Sequence, residues 1–410
     1  MRPVKGTRDI LPEDWYFRER VAEKLCKVLE SYGYRRIETP VLEHFEVLAR
    51  KAGEEIKEEI YYFKDKAGRE LGLRFDMTVP VVRIVASRPD IPLPIRWYYY
   101  SRVWRYDEPQ RGRYREFWQV GAELLGIPGL EADVELLDLI LACFGALELE
   151  VKIYVNSREI VEQLLALLGL EQKKAELLRI LDKKRKLAET EFEEEIKKIC
   201  GEKANAVLEF ANITAKLEKA IDVLQSLGLE TQKLETLAEL LKAAGIYNRI
   251  VFSADIVRGL DYYTGLCYEV YSDQFNLAIG GGGRYDNLVA LYCGRHVPAT
   301  GFALGFDRIL SLLEQLGRAE KSVPKIDYWI YYTAPEYYGL AVQLARALRK
   351  QGYSCVVEIT GRKLKAVLSR ISSMARFLVI LGKKEVEQGM FYVKNLETGE
   401  EKLEKLKDYI

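Results

Sequence analysis

Arg105, Arg113, Arg115, Phe117, Gln119 and Glu123 bring guanidinium groups, an aromatic plate, an amide and a carboxylate into one short stretch, with Gly121 leaving a gap among them. Guanidinium forks grip phosphate or carboxylate oxygens two at a time and stack on planar rings. An aromatic face beside them adds a surface for a flat ligand. That combination suits an anionic, planar ligand, a nucleotide being the obvious candidate. A solvated sheet face with scattered ion pairs is the alternative reading of the same residues.

Strands must position these groups. From Ile95 the chain carries Trp97, Tyr98, Tyr99, Tyr100, Val103 and Trp104, the aromatic and β-branched content that strands favour, with Arg105 closing this first strand. Asp107-Glu108-Pro109-Gln110-Arg111-Gly112 interrupts it with turn residues. Alternation then resumes, and successive strand side chains point to opposite faces. Arg113, Arg115, Phe117, Gln119, Gly121 and Glu123 share one face, while Trp118, Val120, Ala122 and Leu124 form a core face.

Composition narrows the classes. With 410 residues, two or three domains are expected. Lys+Arg and Asp+Glu stand at 62 each, which argues against a wholesale basic coat for nucleic acid but not against a local one. Six cysteines lie far apart with no C-x-x-C pair, so zinc and redox motifs are not expected and isolated thiols in a reducing cytoplasm are. Two histidines, His44 and His296, weigh against a mechanism that needs both a histidine base and histidine ligands. No signal-like apolar segment opens the chain, and no run approaches the ~20 apolar residues of a membrane span.

Elsewhere the pattern predicts a helix over Trp15–Tyr32 ending at Gly33, a hairpin of Tyr61–Phe63 with Leu71–Phe75, and a helix capped by Asp76 or Thr78. A helix near Leu130–Phe144 and a strand over Glu150–Val155 follow. From about Val161 to Gly245 the chain is rich in Lys, Glu, Leu and Ala and free of Pro, as in a helical insertion between strands of one sheet. Its Lys183-Lys184-Arg185-Lys186 run is either a solvated helix face or a binding patch. Four glycines, Gly280–Gly283, permit close backbone approach to a ligand or make a flexible turn. Gly301–Arg308 reads as a strand passing into a helix, with Arg308 placing a cation beside the sheet. After a hinge near Gly317–Lys325, a β-α-β-α-β-β order predicts a small α/β domain with a largely parallel sheet. Its Gly361-Arg362-Lys363-Leu364-Lys365 loop and Lys383-Lys384 suit a phosphate-bearing partner at the carboxyl ends of strands, or are ordinary surface.

Taken in order, the segments KGTRDILP (5–12), Ile37–Glu43, Arg102–Gly121, RGLDYYTG (258–265), GGGRYD (281–286) and Gly301–Arg308 resemble the signatures of the histidyl-tRNA synthetases, a family of class II aminoacyl-tRNA synthetases, over essentially the whole chain. Ile37–Glu43 sits where that family has its dimer-forming motif 1. Leu73–Val85 is closer to archaeal and eukaryotic members, with Asp76 where bacterial members carry Glu.

The resemblance implies an α+β fold: an antiparallel-sheet catalytic domain (1–160 and 246–320), a helical insertion (161–245) and an anticodon-binding α/β domain (325–410). It implies a cytoplasmic homodimer that activates L-histidine with ATP and Mg²⁺, then charges histidine tRNA. Arg105 and Arg258 match the family's α-phosphate contacts and hence the catalytic pair. Phe117 and Arg308 would sandwich adenine, with Arg113 and Arg308 reaching the γ-phosphate. Asp76, Gln119, Glu123, Arg258, Tyr263 and Tyr285 match the histidine pocket, and Gln110 and Arg111 are candidates for the tRNA acceptor end. No side-chain metal ligands are implied; Mg²⁺ would ride on the β- and γ-phosphates. The competing reading is the regulatory subunit of ATP phosphoribosyltransferase, a histidine-binding paralogue without charging activity.

Overall fold

Side chains that alternate between apolar and polar let one sheet bury a face against helices while keeping the other for ligands. The chain uses this plan twice. The computed structural model describes residues 1–52, 54–106, 108, 112–185, 187–257 and 262–410. They form two compact units, 1–320 and 321–410.

In the first unit the strands are, in chain order, β1 (Arg35–Arg36), β2 (Leu42–His44), β3 (Tyr62–Lys64), β4 (Glu70–Leu73), β5 (Ile95–Trp104), β6 (Glu116–Leu125), β7 (Lys152–Ser157), β8 (Thr214–Lys216), β9 (Ile250–Ser253), β10 (Leu266–Ser272), β11 (Phe275–Arg284) and β12 (Ala299–Gly305). Nine make one sheet in the order β1-β5-β6-β12-β11-β10-β7-β9-β8, and β2-β4-β3 make a small second sheet. From β5 to β7 every pairing is antiparallel; β1–β5 and β7–β9 are parallel. One face of the large sheet packs on the helices Pro12–Ser31 and Glu131–Ala146, where Val120, Ala122, Leu124 and Phe302 join one continuous core. The helix Pro12–Ser31 starts three residues earlier than the pattern predicts, because Pro12 has the φ a first helical residue needs.

Two expectations change here. Gly280–Gly283 are not a flexible turn but the end of β11, inside the sheet. A Cβ at Gly282 would lie 2.0 Å from the Gly301 carbonyl oxygen, so glycine lets the strands close up. Among the described residues between Arg158 and Ala243 the helices are joined by short turns and one strand, β8, which pairs with β9 and so ties that stretch to the edge of the large sheet.

In the second unit β13 (Ile326–Tyr332), β14 (Cys355–Val357), β15 (Ala375–Leu381), β16 (Met390–Asn395) and β17 (Glu401–Lys405) form a sheet in the order β14-β13-β15-β16-β17. Its β13–β14 and β13–β15 pairs are parallel and its β15–β16 and β16–β17 pairs antiparallel, so it is mixed rather than largely parallel. The fifth strand escapes the pattern because its sequence, EKLEK, is charged and mostly exposed, as edge strands often are.

Candidate active site

Between β5 and β12, β6 turns Phe117, Gln119, Gly121 and Glu123 toward the face opposite the main core. Glu123 is fully buried there. Its Oε1 accepts from the Thr78 hydroxyl at 2.7 Å and the Tyr99 hydroxyl at 3.2 Å, and its Oε2 from the Tyr285 hydroxyl. Burial pushes the Glu123 carboxyl up to about 8 against these three hydrogen bonds, and the negative charge of Asp76 adds to the rise. Asp76 is itself buried, and its Oδ1 accepts the Val79 amide at 3.1 Å at the start of the helix Thr78–Ser87, in keeping with its expected capping role. Gln119, paired with Ser101 and Gly305, keeps its Oε1 buried with no hydrogen-bond partner in the described structure. Tyr263 is buried with its ring 4.6 Å from that of Tyr262, which in turn meets Tyr285 edge-on at 5.7 Å. The Tyr99 phenol is raised by burial and then by the charges of Glu123 and Asp76 and by Tyr263, so these groups share one neighbourhood.

Two glycines make room for this cluster. A Cβ at Gly121 would lie 2.5 Å from the Tyr99 hydroxyl, so the gap seen in the sequence is filled by that phenol. A Cβ at Gly301 would fall 1.6 Å from Glu123 Oε2. Gly301→Ala is therefore expected to displace the carboxylate, costing about 1–3 kcal/mol of stability. A thermal melt checks it.

At the other end of the same face stand the cations. Arg105 directly follows β5; its Nε donates to the Phe75 carbonyl at 3.0 Å, and its guanidinium lies 5.5 Å from the Phe117 ring centre. Arg308, in the first turn of the helix Phe306–Gln315, donates from Nη1 to Ala278 O at 2.5 Å and from Nε to Gly112 O at 3.3 Å. Burial lowers the Arg308 guanidinium below its ordinary value, and the positive charges of Arg113 and Arg105 lower it further. Three arginines are thus gathered against their mutual repulsion, which favours an anion among them. Arg115, expected on this face, stands just before the first residue of β6, with its carbonyl accepting the Arg105 amide at 2.9 Å and its guanidinium stacked 4.1 Å above the Tyr106 ring.

Arg258, Gln110 and Arg111 lie outside the described residues. Thr78 and Tyr99 were not singled out from sequence, although strand alternation puts Tyr99 opposite Gly121. Arg284 of the GGGRYD segment turns away to a buried ion pair with Asp133, at 2.7 Å. In the basic run, Lys184 Nζ donates to Ala211 O at 2.5 Å. Arg185 pairs with Asp255 at 2.5 Å and lies over the Tyr154 and Tyr271 rings, so these two are anchoring contacts rather than a solvated face. Among the described residues no group of three or more His, Cys, Asp or Glu converges as a metal site. Among the described residues no helix is long and apolar enough to cross a membrane.

In the second unit Arg362 and Lys363 lie in the loop after β14, and Lys383 and Lys384 open the short helix Lys383–Glu387 after β15, at the carboxyl ends of the two strands that flank β13 in parallel. Beneath them Glu358 is buried, accepting from Trp329 Nε1 at 3.0 Å and the Thr360 amide at 2.8 Å.

Against known proteins, a family model described as histidyl-tRNA synthetase matches residues 6–309, and one described as anticodon binding domain matches residues 327–410. The histidine–tRNA ligase of Pyrobaculum calidifontis is 45% identical, the match covering 100% of this chain and 97% of that protein. The ligase of Pyrococcus furiosus is 36% identical over 99% of this chain and 97% of its own length. Among solved structures, a histidyl-tRNA synthetase from a Nostoc species superposes with a TM-score of 0.77 at 24% identity, covering 100% of this chain and 99% of that one. A Bacillus halodurans protein described as an ATP phosphoribosyltransferase regulatory subunit/histidyl-tRNA synthetase gives 0.76 at 28% identity, over 93% and 98%. The full-length relatives and the two family models agree with the sheet just described: the chain belongs to the histidyl-tRNA synthetase family.

Proposed function

We propose that this sheet face performs histidine–tRNA ligation. The observation that carries the reading is the placement, on one face of one sheet, of a buried carboxylate–phenol pocket beside a cluster of arginines. Asp76, Gln119, Glu123, Tyr263 and Tyr285, with Arg258 from the histidine motif, bind L-histidine. Acidic and phenolic groups satisfy both imidazole nitrogens and the α-ammonium. A pocket that demands hydrogen bonds rejects isosteres lacking them by ~10⁴ or more, so no editing step is required. ATP lies along Arg105, Arg113, Phe117 and Arg308, with adenine between Phe117 and Arg308 and the γ-phosphate at Arg113 and Arg308. The absence of a carboxylate cage among the described residues is compatible with Mg²⁺ carried on the β- and γ-phosphates.

A histidine carboxylate oxygen bonds to the α-phosphorus in line, the bond to the bridging oxygen breaks, and pyrophosphate leaves with the electron pair. The charge growing on the α-phosphate is met by Arg105 and Arg258, fixed in advance rather than recruited during the reaction. The hydroxyl at the 3′ end of histidine tRNA then attacks the acyl carbon and AMP departs. Residues 1–160 with 246–320 act as the catalytic domain, 161–245 as the helical insertion, and 325–410 as the anticodon reader, its basic strand-end loops meeting RNA phosphate. The chain works in the cytoplasm as a homodimer joined through Ile37–Glu43.

Histidine-dependent ATP–pyrophosphate exchange followed by charging of histidine tRNA tests this directly. Histidine binding without exchange would instead favour the regulatory-subunit reading, which the ligase relatives and the match to an anticodon-binding domain disfavour. The acceptor end of the tRNA is assigned to the Glu108–Arg113 loop. Replacing Gln110 and Arg111 together by Ala is expected to raise the tRNA KM and leave exchange intact; the reverse pattern would remove the assignment.

A further inference from the structure

Asp307 is buried in the first turn of the helix Phe306–Gln315, one position before Arg308. Its Oδ1 accepts from Arg18 Nη1 at 2.7 Å and also from Arg8 Nη2, while its Oδ2 accepts the Trp118 amide at 2.8 Å. One carboxylate thus faces two guanidinium groups. Arg18, buried on the helix Pro12–Ser31, suffices to neutralise it. Arg8 comes from a stretch without secondary structure, and its side chain is 37% exposed. Charge balance does not explain it.

Its other contacts do. The Arg8 guanidinium lies 3.9 Å from the ring centre of Tyr114, the neighbour of Arg113. Two residues earlier, the Gly6 carbonyl accepts the Arg115 amide at 2.8 Å. Gly6 has φ +85°, and a Cβ there would come within 2.7 Å of the Arg115 side chain, so only glycine lets the two stretches lie this close. Gly6–Arg8 therefore touches both places from which the outer cations spring: the loop that carries Arg113 and the helical turn that carries Arg308. Successive helical residues leave the axis about 100° apart, so a clamp on Asp307 sets the direction in which Arg308 departs.

We propose that Arg8 is a positioning residue that holds Arg113 and Arg308 at a fixed separation, against their repulsion, before nucleotide arrives. This rests on the reading above that those two arginines bind ATP. In pyrophosphate exchange, Arg8→Ala is expected to raise the KM for ATP about tenfold, the scale of one lost charge-assisted hydrogen bond, with the KM for histidine and the melting temperature unmoved. Arg8→Lys should recover part of the loss, since an ammonium can pair with Asp307 but cannot lie flat on Tyr114. An unchanged ATP KM in Arg8→Ala, or equal rises in both KM values, overturns the proposal. Arg308→Ala is the control: if it leaves the ATP KM unchanged, the nucleotide site itself is misassigned and this inference falls with it.

Discussion

A Glu123→Gln variant is expected to lose histidine-dependent pyrophosphate exchange by roughly 10²–10³ in kcat/KM, the scale of ~3–5 kcal/mol for removing one partner of a buried charge pair. Glu123 is fully buried and its oxygens already accept from Thr78, Tyr99 and Tyr285, so its geometry is set before the amino acid binds. An amide keeps the shape but cannot carry the negative charge with which the proposed pocket would meet the cationic groups of histidine. The variant should still bind ATP with near-normal KM, which separates a damaged pocket from a damaged fold. Near-normal exchange with histidine would remove Glu123 from the assignment.

The same carboxyl makes a pH prediction. With its folded value pushed up to about 8, Glu123 holds a proton at neutrality in the free protein. Arrival of a cationic group of histidine in the proposed pocket should expel that proton. Calorimetry near pH 7 in two buffers of different ionisation enthalpy is expected to show proton release on histidine binding, absent in Glu123→Gln. The sign for stability is the opposite of a usual carboxylate. The folded value lies above the unfolded one, ~4.3, so the contribution is fully present below ~4.3 and is lost as pH rises toward about 8. Ligand-free melting temperatures of the parent should therefore fall relative to Glu123→Gln across that window.

Arg105→Ala should produce a comparable loss in the chemical step, on the order of 10²–10³ in kcat, because one preorganised donor to a developing anion is worth roughly 3 kcal/mol or more. The hydrogen bond from Arg105 Nε to the Phe75 carbonyl fixes the guanidinium plane. Arg105→Lys is not expected to rescue, since an ammonium offers no fork to hold the carbonyl and a phosphate oxygen together. Arg258→Ala, by its place in the histidine motif, should lose most adenylation too. Single-turnover adenylate formation distinguishes these losses from slower product release. A kcat within a few-fold of the parent for Arg105→Ala would mean that the α-phosphate lies elsewhere.

Much of this site was readable from local pattern. Strand periodicity is a property of neighbours, so Phe117, Gln119 and Glu123 could be put on one face and Trp118, Val120, Ala122 and Leu124 on the other, as the sheet bears out. The same logic could not show that the Arg115 guanidinium stacks on the Tyr106 ring, a contact between the two ends of the loop. A run of glycines looked like a loop since no local rule distinguishes a flexible turn from a strand whose neighbours tolerate no Cβ. Lys184 and Arg185 looked like solvated charge for the same reason: their partners, Ala211 and Asp255, are distant in sequence.

The sequence by itself determined the type of the main elements, the polar face of the central strand and the family. Each follows from spacing of a few residues or from motifs in order. Only the tertiary structure decided that Glu123 is enclosed by Tyr99 and Tyr285, that Gly301 is the space its carboxylate occupies, and that Arg8 reaches Asp307. Those contacts join positions as far as 299 residues apart. They exist because antiparallel pairing brings β6, β11 and β12 side by side, and no periodicity along the chain encodes which distant side chains then meet.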